Sequence, residues 1–139
     1  PAAAEPPLPS LARSVVFFND GRSIMVGFLD SKQIIAWNLE PWAQMWSFRV
    51  SKRIGSMVWS SETRRLLVWN LDDGADVYQL HDNGEFRHLH NLRVAVKRNF
   101  IKLLDLVQHG RIAVSGTDKG EVLLWDTDSG ALLQTLIHG

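Results

Sequence analysis

An all-β fold is predicted for this chain, and three observations carry the prediction. Apolar and polar residues alternate with period two, as in Arg111-Ile112-Ala113-Val114-Ser115 and Glu121-Val122-Leu123-Leu124-Trp125, which sends successive side chains to opposite faces of a strand. Clusters of Gly, Asp, Asn and Ser recur every eight to twelve residues, the spacing of turns between short strands. Nowhere do apolar residues recur at three and four over a dozen positions without an intervening Gly or Pro, so helical periodicity is missing. Valine and aromatic enrichment fits the same choice.

The elements follow in order. Residues 1–12, rich in Pro and Ala, read as a flexible or polyproline-like lead-in. Residues 13–49 give a strand at 14–18, an Asn19-Asp20-Gly21-Arg22 turn, a strand at 23–29, an Asp30-Ser31-Lys32 turn and a strand at 33–38. An outer connection after Glu40-Pro41 then carries Trp42 and Trp46. Residues 50–89 repeat the pattern: an inner strand at 54–59, a strand at 66–71, an Asp72-Asp73-Gly74 turn, a strand at 75–80, an Asp82-Asn83-Gly84 turn and a strand at 85–89. Residues 90–98, HNLRVAVKR, read as a basic connecting loop. Residues 99–139 hold a third copy, with turns at Asp118-Lys119-Gly120 and Asp128-Ser129-Gly130 around a strand that closes on Trp125-Asp126.

Trp37 and Gln79 stand 42 positions apart, and Gln79 and Trp125 stand 46 apart. With the Trp-Asp pair closing a third strand, this period resembles that of the WD-repeat β-propeller family. The resemblance implies blades of four-stranded antiparallel sheet, three per chain, hence a partial or half propeller. A closed ring takes about four to eight blades, so two apolar blade faces would stand open and invite association. Either the chain is a piece of a larger propeller, or two copies pair as a homodimer into a six-blade ring with twofold symmetry. The family often stiffens its blades with a buried set of His, Ser or Thr, Asp and Trp. Ser115 and Trp125 match in the third repeat, but Asp118 comes one position early. Trp37 matches in the first, beside Ser31 and Gly27 at the other positions. The second has Asp73 but puts Gln79 at the Trp position, with Tyr78 next to it. No repeat holds the full set, and a half-satisfied network adds little, so apolar packing must carry the stability.

Composition bounds the function. The chain has 139 residues, 45% hydrophobic and 22% charged, which suits a packed core. Fifteen basic and fifteen acidic residues cancel, leaving no global field toward nucleic acid or an anionic membrane. Without cysteine there is neither a disulfide nor a thiolate metal site. No apolar run approaches the roughly 20 residues of a membrane span and the start lacks a signal-peptide pattern, so an intracellular place, cytoplasmic or nuclear, is expected. His88 and His90 alternate along an outer strand and read as polar surface; no metal is expected. Ser60, Ser61 and Ser115 lack a nucleophile-elbow glycine pattern, Asp72-Asp73 belongs to a turn, and no Gly-rich phosphate loop opens a helix. No cofactor and no catalysis follow.

What remains is a non-enzymatic scaffold for protein–protein interaction. The resemblance implies partner binding at loops before inner strands and between second and third strands. There Arg53, Arg93, Lys97, Arg98 and Lys119 would form a basic rim for a protein partner. Trp42 and Trp46 are candidate aromatic anchors, or else cover the blade edge; Trp37, Trp59, Trp69 and Trp125 read as packing. An alternative is phosphate binding, to nucleic acid or a phosphoinositide, through the basic 87–102 segment, which holds no acidic residue.

Overall fold

The computed structural model describes residues 11–82, 84–94, 104–117 and 120–137. Among them are twelve strands and no helix. The first sheet is a meander of β1 (Ala12–Phe18), β2 (Ser23–Phe28), β3 (Gln33–Leu39) and β4 (Trp42–Arg49). The second runs β5 (Ser56–Ser60), β6 (Arg65–Trp69), β7 (Gly74–Leu80) and β8 (Phe86–Arg93). The third runs β9 (Leu104–Val107), β10 (Ile112–Gly116), β11 (Glu121–Asp126) and β12 (Leu132–Ile137). Every pairing is antiparallel between strands consecutive in the chain, because two- to five-residue connections permit nothing else. The first hairpin turn holds Asn19, Asp20 and Gly21 at φ of 52°, 56° and 80°, and Gln108, His109 and Gly110 repeat it at 49°, 61° and 80°. Arg22 N–H closes the one onto Asn19 O, and Arg111 N–H closes the other onto Gln108 O.

The sheets stack face to face, with inner strand β1 beside β5 and β5 beside β9. Between the first and second sheets lies one apolar cluster, including Phe18, Met25, Ile34, Ile54, Leu66, Tyr78 and Phe86. Between the second and third lies another, built on Leu67, Trp69, Val77, Leu92 and Trp125. Gly27 makes the first contact close: a side chain there would strike Ile54 and Met57.

Register corrects the alignment of the repeats. In each sheet the third strand carries a bulge in its outer pairing just before its fifth residue, and that residue is Trp37, Tyr78 or Trp125. Tyr78, not Gln79, therefore stands where the Trp belongs. Gln79 aligns with Asn38 and Asp126, and its amide N–H groups go to the carbonyls of Thr63 and Arg64. Two further expectations shift. Trp42 and Trp46 lie on β4 itself, not in a connection, and the outer strand β8 runs on to Arg93, into the segment read from sequence as a loop.

Candidate protein-interaction surfaces

The rim residues Lys97, Arg98 and Lys119 lie outside the described residues, so no geometry is given for them. Arg53 pairs with Asp72 at 3.7 Å, and its neighbour Lys52 donates to Asp73 Oδ2 at 2.7 Å. Two consecutive bases on the linker thus face two consecutive acids of the β6–β7 turn, and the basic character expected at this stretch of rim is balanced locally. Arg93 ends β8 opposite Gly74 and is exposed. Of the basic 87–102 segment, Arg87 is exposed on β8, and His88 turns to a carboxylate. A bulge at residue 89 separates the two histidines, so they do not share a face. His88 bonds Asp76, whereas His90 Nε2 meets the carbonyl of Asp128 in the third sheet. Among the described residues no group of three or more metal-ligating side chains converges.

The tryptophans divide by what covers them. Trp46 packs edge-on against Phe86 at 5.0 Å and near Phe18, inside the first intersheet cluster. Trp42 stacks on Trp37 at 5.7 Å on the opposite face of the first sheet, over Val26, Phe28 and Ile35. Trp42 opposes Leu39 across its hairpin as Phe86 opposes Leu80, so the two are equivalent. Phe86 is 7% exposed beneath Trp46 and Phe48; Trp42 is 51% exposed, and Phe17 on the same face is 63% exposed. At the far end of the stack Leu136, on β12, is also largely open. Within the third sheet Ser115 Oγ and Trp125 Nε1 are buried on one face, neither with a hydrogen-bond partner among the described residues; Asp118, the third member of the set implied by the family, lies outside them.

The best-built polar feature was not singled out in the sequence. Asn70 Oδ1 accepts from the N–H groups of Asp72, Asp73 and Gly74, and its Nδ2 donates to Asp73 and Asp76. Asn91 Nδ2 donates to the same two carboxylates, and His88 Nε2 donates to Asp76 Oδ1 at 2.9 Å. The spacing Asn70, Asp73, Asp76 across a turn is the signal that marks it, since side chains that bond the backbone locally cluster there. Burial pushes the Asp73 carboxyl up, but hydrogen bonds from Lys52, Asn91 and Asn70 and the Lys52 charge outweigh it and hold it down at about 2. Burial and the negative charge of Asp76 push the Tyr78 phenol well above its ordinary value. Because the folded value of Asp73 is depressed, its contribution is present above about pH 4 and lost as pH falls toward 2. Lys52→Met is expected to cost up to about 1 kcal/mol at pH 6. In urea melts the gap from wild type should narrow on going to pH 3, and a gap independent of pH would remove Lys52 as the cause.

No protein-family model matches the sequence, and no curated protein matches it. Among solved structures, the chain is similar to the β-propeller domain of Cps50 (Swd1) from Myceliophteria thermophila. The TM-score is 0.78 at 15% identity, over 94% of this chain and 44% of that one. The chain thus spans less than half the length of the structure it matches. At that identity the likeness shows the fold: all-β, with three four-stranded antiparallel sheets arranged as the blades of a β-propeller.

Proposed function

We propose that this chain is an arc of a WD-repeat-like propeller that works as a non-enzymatic, intracellular protein-interaction scaffold, and that further blades complete its ring. The observation that carries the reading is the contrast between Phe86 and Trp42. They hold the same place in consecutive blades, yet one is covered by the preceding blade and the other is half open. An apolar face with Val15, Phe17 and Trp42 at its surface is what a neighbouring blade would cover. Further blades fit better than a second copy. The matched propeller domain is more than twice as long as this chain, so two three-blade arcs fall short of it. Partner contacts are assigned to the loop rim, with Arg53, Arg93, Lys97, Arg98 and Lys119 the first residues to test. Of the two tryptophans, Trp46 already packs between the first two blades, and Trp42 is assigned to contact with a further blade. Among the described residues no helix is long and apolar enough to cross a membrane.

Solution mass by light scattering behind size exclusion tests the ring. A monomer near 15.7 kDa, or loose polydisperse association reduced by Phe17→Glu, is expected. A sharp dimer that persists on dilution would show instead that two copies close the ring.

A further inference from the structure

We propose that the cavity between the first two blades, bounded by β4 and its following linker on one side and β7 and β8 on the other, is a slot for one basic side chain, lysine or arginine, of a partner protein. The inference rests on the scaffold reading and gives that scaffold a defined recognition chemistry. The cavity measures about 330 Å³, room for a single long side chain. Its walls include Phe48 and Tyr78, whose rings meet edge-on at 5.9 Å, and aromatic faces attract cations. Asp76 lines it and is only 5% exposed. A carboxylate buried to that degree calls for a positive partner. Among the described residues no Lys or Arg lies within ion-pair distance of Asp76; the ammonium of Lys52 is spent on Asp73, and Asp76 is held by the amides of Asn70 and Asn91 and by the His88 ring.

Hydrogen-bond accounting points the same way. Asn70 and Asn91 each spend their amide N–H groups on Asp73 and Asp76, so what Asn91 has left for the cavity is its carbonyl oxygen. His88 donates from Nε2 to Asp76. Around Asp76 the donors of Asn91 and His88 are thus spent internally, and this part of the lining offers an acceptor, ring faces and one negative charge. A donor-rich cation complements all three. Arg49 also lines the cavity without an ion pair among the described residues, so its charge opposes such a ligand.

The test is an NMR titration of the ¹⁵N-labelled chain with acetyl-Gly-Leu-Lys-Leu-Gly-amide and with forms carrying norleucine or glutamate for lysine. The lysine peptide should shift the amides of Ser51, Tyr78 and Asn91 with a low-millimolar Kd. Norleucine should weaken binding about tenfold or more, as should Asp76→Asn. Arg49→Glu changes an exposed residue that is not part of the buried network, so it keeps the proposal testable should Asp76→Asn not fold; it should tighten lysine binding several-fold. Equal binding of norleucine, no shifts up to about 20 mM, or a glutamate peptide that binds and is weakened by Arg49→Glu would each overturn the slot. Such a failure leaves the ring reading standing, because the open blade faces lie elsewhere and are tested by mass.

Discussion

Gly74→Ala is expected to destabilise the chain by about 3 kcal/mol or more, against a total stability of about 5–15 kcal/mol for a domain. Gly74 opens β7 at φ 141°, a conformation that side chains rarely adopt. An added Cβ would press on the Leu92 carbonyl and come within 2.7 Å of Val94 N. Neither obstacle is a flexible side chain. Both are backbone of the outer strand and its continuation, and Gly74 O also accepts from Asn70 N–H while Val94 N–H donates to Asp73 O. Relief would have to pull β8 away from β7 at the very point where the Asn70–Asp73–Asp76 network ties the turn down. Gly21→Ala is the control. Its φ of 80° is also left-handed, but nothing lies within 4 Å of the new atom, so only the conformational cost of about 1 kcal/mol remains. Urea midpoints of the two variants read the difference. Equal losses would mean that the Gly74 contact relaxes freely and that β8 is not held as described.

That contrast also shows what was legible in the sequence and what was not. The strands and turns announced themselves through period-two alternation and Asp/Asn/Gly turn chemistry, which are local. Register is not local. Gln79 looked like the Trp equivalent because distance from the turn was counted along the sequence, and only the bulge before Tyr78 shows that a tyrosine fills that place. The same kind of slip misread the histidines: period two puts His88 and His90 on one face, and one extra residue at the bulge separates them. The ion pairs around Arg53 were hidden for another reason. Counting charges along the chain cannot see that Asp72 and Asp73 come round from the next turn to meet Lys52 and Arg53. Leu71, buried at φ 66°, gave no warning at all, since a large aliphatic residue in that region has no sequence signature.

Trp69→Ala is expected to cost about 3–5 kcal/mol, the range for emptying the site of a buried aromatic. Trp69 is fully buried in the cluster between the second and third blades, and Gly55 packs close against its ring. The loss should loosen the third blade, because that cluster is the apolar contact between it and the second. The informative comparison is Trp69→Phe. The indole N–H of Trp69 is buried with no hydrogen-bond partner among the described residues, and an unsatisfied donor of that kind costs about 1–3 kcal/mol. Phenylalanine removes that donor while keeping most of the ring, and the two effects should nearly cancel, leaving a net change within about 1 kcal/mol. Trp42→Ala, at an open blade face, should likewise change the stability of the isolated chain by less than about 1 kcal/mol, because its covering partner is absent. If Trp69→Phe were as costly as Trp69→Ala, the site would be reading ring shape or a bonded N–H rather than volume. If Trp42→Ala matched Trp69→Ala, the open face would already be part of the folded core, and the case for a further blade covering it would be lost.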